Sequence, residues 1–166
     1  MRRYILTNLT VRSAMVLVVA LVLSGGGAGL VTQDAHALET FPVSTLTVAT
    51  KDGVREFTVE VAETPQQHAQ GLMFRRKMAA DAGMVFVHRQ MQSISMWMEN
   101  TMIPLDMVFI GGSGAITKIV ERTIPMSREI IASGGPVKLV LELNSGTVSR
   151  LGLKVGDRVT LSGVFD

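Results

Sequence analysis

The residues able to do chemistry concentrate in one stretch, Ser95 to Ile110, where Trp97, Glu99, Asn100, Thr101 and Asp106 are set among methionine, isoleucine, leucine and valine. A polar side chain in apolar surroundings must be partnered or used, because burying it unsatisfied costs free energy. Taken as a strand, residues 94–100 turn Trp97, Glu99 and Thr101 to one face and Met96, Met98 and Asn100 to the other. An indole beside a carboxylate is a platform for a sugar ring or a cation; the alternative is that Trp97 fills the core with its N–H bonded to a carbonyl. Asp106 shares a face with Val108 and Ile110, so its carboxylate needs partners. Backbone amides of the bend at residues 100–103 can supply them structurally, or Asp106 serves as a general base or anchor.

Two further residues join this set. Glu142 lies beside Val140 on the face opposite Leu139 and Leu141, and Arg75 follows the apolar segment Leu72-Met73-Phe74. An ordinary ion pair between Glu142 and Arg75 is one reading. The other is convergence of Arg75, Asn100, Asp106 and Glu142 on one pocket, where two carboxylates divide acid and base duties as in glycosidases. A third chemistry is soft-metal binding. Met96 and Met98, with His88 nearby, offer thioether and imidazole ligands for Cu(I). Nine of the 11 methionines lie beyond residue 37 in a region with few aromatics, so methionine as packing material accounts for them, and no metal or cofactor is expected. There is no cysteine and no Gly-x-Ser-x-Gly, and His68 and His88 lack any signature spacing to a nucleophile or metal partner. His68 is expected to be solvated on a short helix, and Gly111 to Gly114 to be a plain turn.

The chain that must position these residues opens with Met1-Arg2-Arg3, runs apolar from Ala14 to Leu23, and reaches Ala35-His36-Ala37. This is the pattern of a signal peptide with cleavage after Ala37. An uncleaved anchor is the alternative, so the membrane enters only through the leader, and the expected location is periplasmic or secreted. Of the 16 basic and 14 acidic residues, Arg2, Arg3, Arg12 and Asp34 fall in the leader, leaving 13 of each. A balanced domain of this kind argues against nucleic acid as a partner. Residues 38–166 suffice for one domain, held by packing because no disulfide is available.

Val43 to Thr50 and Val54 to Val61, joined by Lys51-Asp52-Gly53, predict a β-hairpin. Thr64-Pro65-Gln66-Gln67 predicts a short helix that starts with a capping box and a first-turn proline and stops at Gly71. Strands are predicted at residues 83–88, 94–100, 105–110, 115–122 and 137–143 and at the C-terminal end, with a second short helix at 144–151 capped by Asn144 and ended by Gly152. Ser127 and Ser133 lie in a predicted surface loop from Pro125 to Pro136. The expected fold is mainly β, a β-rich α+β domain: a small barrel-like or rolled antiparallel sheet of about eight short strands with two short helices.

Several motifs in this order, Gly71-Leu72-Met73-Phe74-Arg75, Gly83-Met84-Val85-Phe86, Trp97-Met98-Glu99-Asn100-Thr101, Ile103-Pro104-Leu105-Asp106-Met107, Leu141-Glu142-Leu143-Asn144-Ser145-Gly146 and Gly156-Asp157-Arg158-Val159, resemble the domain-of-unknown-function 192 family over about residues 43–162. Glu99 stands where that family often has lysine. The resemblance implies a compact, mainly β fold and no particular activity. The expected function is that of an uncharacterised exported accessory protein that binds a small ligand or an envelope partner through Arg75, Trp97, Asn100, Thr101, Asp106 and Glu142. A hydrolase acting on carbohydrate or envelope substrate through Asp106 and Glu142 is the alternative, and a copper-binding protein the third.

Overall fold

The computed structural model describes residues 38–164, so the expected leader lies outside the described residues. Seven strands and two short helices follow in the order β1 (Val43–Thr50), β2 (Gly53–Ala62), α1 (Pro65–Gln70), β3 (Ala82–Met96), β4 (Leu105–Ile110), β5 (Ile116–Val120), β6 (Ile131–Asn144), α2 (Thr147–Leu151) and β7 (Arg158–Leu161). They form one sheet with strand order β5-β4-β6-β3-β2-β1-β7. Every neighbouring pair is antiparallel except β2 and β3, which α1 connects in parallel. The sheet curls into a half-barrel whose two edges meet. Ile116 N–H donates to Asp157 O, and Val159 N–H donates to Gly114 O.

The mainly β expectation holds, with three differences in detail. The segments expected as separate strands at 83–88 and 94–100 are one long strand, β3, which bulges against β6 between Val87 and Gln92 and ends at Met96. The Trp97 motif is therefore a loop, and Glu99 carries an ion pair to Arg128 at 2.6 Å. Second, β6 begins at Ile131, so the back half of the predicted Pro125 to Pro136 loop is strand. Third, Asn144 does not cap α2. Its amide donates to the Met78 and Ala79 carbonyls, and Gly146 stands at the N-cap with no side-chain cap of its own.

Helix α1 forms as its local sequence dictates. Thr64 Oγ1 accepts from Gln67 N–H, Gln67 Oε1 accepts from Thr64 N–H, and Pro65 opens the first turn.

Both faces of the sheet centre are packed. One face gathers apolar side chains from all seven strands, among them Leu46, Phe57, Val85, Val108, Leu141 and Val159. The opposite face of β3, β4 and β6 carries Met84, Phe86, Met107, Phe109 and Val140, covered by Leu72, Met98 and Ile103 from the loops that follow α1 and β3. All six residues of β4 are consequently buried. Two buried faces turn an alternating strand into a continuous apolar run, which is why polar exceptions such as Asp106 and Glu142 stand out.

Candidate functional site

The two sheet faces separate the two carboxylates that the sequence offered as an acid and base pair. In the ladder of β4 and β6, Asp106 sits opposite Leu143 and Met107 opposite Glu142. Directly opposed residues point to the same face, and successive residues to opposite faces. Asp106 therefore belongs to the inner layer with Val108 and Ile110, and Glu142 to the outer layer. An acid and base pair made of these two does not form.

Asp106 is fully buried and structurally employed. Its Oδ1 accepts from Arg122 N–H and its Oδ2 from Val148 N–H, each at 2.9 Å. Val148 is in the first turn of α2, so Asp106 supplies from a distant strand the cap that Gly146 cannot. The same carboxylate holds Arg122 in a left-handed bend, φ 56°. The donors are not those of the 100–103 bend.

Glu142 is 4% exposed, flanked by Met84 on β3 and Met107 on β4, and its carboxyl makes no hydrogen bond among the described residues. It lines a cavity of about 380 Å³ on the outer face, walled by α1 and Gly71 to Met73 on one side, Ile94 to Trp97 on another, and floored by Phe86. Burial alone pushes the Glu142 carboxyl up to about 8, so it is mostly protonated at neutral pH. Trp97, 46% exposed, lines the cavity and is not sealed in the core. Thr101 also lines it and hydrogen-bonds the Glu99 carbonyl.

Two histidines complete the lining: His88, which the sequence offered only as a copper ligand, and His68, expected to be solvated. His68 is not a freely solvated surface residue. Its Nε2 lies 2.9 Å from the Ala62 carbonyl oxygen, which only accepts, so Nε2 is the donor there. The ring packs edgewise on His88, centroids 4.8 Å apart, and on Phe86 at 5.8 Å. The Gln92 amide donates to His88 Nδ1 at 3.4 Å, which leaves the proton on Nε2, buried with no partner. Burial, reinforced by His68 and Lys138, lowers His88 to about 4 and keeps it neutral. One signal was available for His88: it alternates with Met84 and Phe86 along one strand face. For His68 six helical residues define no reliable face.

The remaining candidates are elsewhere. Arg75 forms a bidentate pair with Glu60, not Glu142, and stacks over Phe41 at 5.8 Å. That pairing raises its pKa further through the Glu60 hydrogen bonds. Asn100, at φ 56°, accepts from Phe74 N–H through its carbonyl and shapes the rim instead of entering the cavity. Met96 lines the cavity, whereas Met98 is buried in the outer layer with its sulfur 3.2 Å from the Thr123 hydroxyl. β3 ends at Met96, so the two residues are not successive same-face positions of one strand, although both side chains pack in the outer layer. Among the described residues no cluster of three His, Asp or Glu side chains is placed to hold a metal.

The rim is conformationally demanding. Phe74, Asn100 and Met126 all have positive φ, and Phe74 N–H and Met126 N–H donate to the carbonyls of Asn100 and Thr101. Non-glycine residues in this region cost free energy and are held only by their surroundings. Gly71, at φ 47°, would place a Cβ 3.1 Å from Phe86 Cζ, so glycine is what allows the loop to close over the cavity floor.

The chain is similar to two solved structures. A Sinorhizobium meliloti 1021 protein provisionally described as a transcription regulator is 44% identical, with a TM-score of 0.74 over 76% of this chain and 99% of that one. A Novosphingobium aromaticivorans DSM 12444 protein of unknown function is 34% identical, with a TM-score of 0.70 over 76% of this chain and 94% of that one. No curated protein matches. The family described as DUF192, Uncharacterized ACR, matches residues 46–161, and with these relatives it shows that the chain belongs to the domain-of-unknown-function 192 family.

Proposed function

We propose that this protein is a small-ligand-binding accessory protein of the cell envelope, its ligand seated in the cavity between α1, the outer face of β3 and β6, and the Trp97 loop. One observation carries the reading: a carboxyl buried in an apolar cavity without a hydrogen-bond partner, beneath a half-exposed tryptophan. A buried polar group left unsatisfied is costly, and a ligand that satisfies it recovers that cost. The cavity volume suits a small organic molecule with an apolar body. The envelope location rests on the signal-peptide pattern of residues 1–37.

The hydrolase alternative is disfavoured because its second carboxylate, Asp106, is on the other face of the sheet and already accepts two amides. DNA regulation, the provisional description of the Sinorhizobium relative, finds little support in helices of six and five residues and a balance of acidic and basic side chains.

The test uses Trp97, the sole tryptophan of the chain, as reporter. Acrylamide should quench its fluorescence efficiently, and 1-hexanol, a small neutral amphiphile, should shift the emission saturably and reduce quenching. Emission indifferent to this probe and to a panel of other small amphiphiles would sink the reading.

A further inference from the structure

Resting on the pocket assigned above, we infer that its ligands are organic cations, compact amines with an apolar body, taken up in exchange for the proton of Glu142. The argument starts from the charges the cavity offers. Among the described residues no lysine or arginine lines it, so an anion entering would meet no countercharge from them. The ionisable side chains in the lining are Glu142, His68 and His88. Both neighbours of Glu142 across the ladders, Met84 and Met107, are uncharged. His88 is held neutral and donates from Nε2, and His68 Nε2 donates to the Ala62 carbonyl.

Glu142 is thus the one carboxyl among the described residues of the lining, the group that a cationic ligand can complement. Its partnerless burial keeps it protonated when the cavity is empty. An ammonium group placed against it replaces one positive charge with another: the carboxyl proton leaves to solvent, the carboxylate pairs with the ammonium, and the cavity stays neutral in both states. Trp97 at the side and the Met73 and Met96 thioethers suit the rest of such a molecule, since indole faces and soft sulfur accept cationic and apolar groups alike. The floor also sets a length. Met84, opposite Glu142, and His88 are four residues apart on one strand, about 13 Å at the usual rise, with Phe86 between them. A ligand that spans this distance has its ammonium at Glu142, an apolar middle over Phe86, and a hydrogen-bond acceptor at the His88 end.

The experiment compares three probes of equal size, hexylamine, 1-hexanol and hexanoate, on the intact domain by Trp97 fluorescence and calorimetry between pH 5 and 9. Hexylamine should bind about tenfold more tightly per pH unit up to near pH 8 and then level off, because each ionisation removes one proton from the competing state. Proton release on binding should stay near one per ligand while the affinity climbs and fall toward zero as it levels off above about pH 8. Hexanoate should not bind. Glu142→Gln, which resembles the protonated carboxyl and so keeps the empty fold, should lose hexylamine binding while retaining 1-hexanol. The slope should persist in His68→Gln, which separates Glu142 from the other imidazole in the lining. If 1-hexanol binds and hexylamine does not, or if hexylamine binds without pH dependence, the cation assignment is overturned while the pocket stands. If none of the three perturbs Trp97, pocket and cation assignment both fall.

Discussion

The inner and outer layers of the sheet each bury one carboxylate, and they treat it in opposite ways. Asp106, on the inner layer, receives two backbone amides that fold position permanently, one from the bend at Arg122 and one from the first turn of α2. Glu142, on the outer layer, is nearly as deeply buried, yet its neighbours across both ladders are methionines and it receives no hydrogen bond from the described residues. Burial alone does not distinguish a structural carboxylate from a functional one. What distinguishes them is whether the protein supplies the donors itself or leaves that valence open toward a cavity. The inner layer is closed by β-strand edges and α2; the outer is closed by loops whose backbones are held at positive φ at Phe74, Asn100 and Met126.

Removing the inner carboxylate tests this contrast most severely. Asp106→Ala orphans two buried N–H groups and uncaps α2, so stability should drop by about 3 to 6 kcal/mol in urea unfolding. Asp106→Asn, which keeps one acceptor, should cost about half as much. A loss under ~1 kcal/mol for the alanine variant would dissolve the distinction.

Next in size is the pH dependence of Glu142. Its folded pKa of about 8 exceeds the ordinary 4.5, so its contribution to stability is complete below about pH 4.5 and is lost as pH rises toward 8. His88 acts oppositely. Its folded value of about 4 lies below 6.5, so its contribution is complete above 6.5 and lost as pH falls toward 4. Between pH 6.5 and 8 only the Glu142 effect remains, and wild type should lose roughly 2 kcal/mol at about 1.4 kcal/mol per pH unit. Glu142→Gln should remove this decline, and below pH 6.5 it should lose stability monotonically with falling pH. A decline equally steep in the variant would assign the effect to other groups.

Smaller effects sharpen the outer layer alone. Gly71→Ala forces a Cβ against Phe86 at a positive φ and should cost about 1 to 2 kcal/mol, with a change in the near-ultraviolet aromatic signal. Trp97→Ala should change stability by less than about 1 kcal/mol, because the side chain is half exposed, while abolishing 1-hexanol binding measured by calorimetry. A large loss of stability would return Trp97 to the role of core filler.

Local chemistry made some of this legible without coordinates. The α1 capping box spans Thr64 to Gln67 with Pro65 inside it, Gly71 ends the helix, and the β1–β2 hairpin closes on two residues, Lys51 and Asp52; each is decided within a few positions of chain. Strand alternation correctly placed Asp106 with Val108 and Ile110, and Glu142 away from Leu139 and Leu141. The family motifs likewise followed from residue order. These features depend on periodicity and short loops, which one chain segment carries by itself.

Tertiary structure alone decided the partners. The cap of α2 comes from Asp106, 42 residues away from Val148, so Asn144 looked like the cap only because it was near. Arg75 found Glu60 on β2 because parallel pairing through α1 brings that strand under the loop, while Glu142 was left alone. His68 and His88 meet because α1 folds back across β3, a contact with no sequence spacing to announce it. In β4 and β6 the sequence by itself determined which residues share each strand face. Which buried charge was satisfied, and which remained open to a ligand, depended on donors delivered from distant strands and loops, and only the assembled sheet brings those into reach.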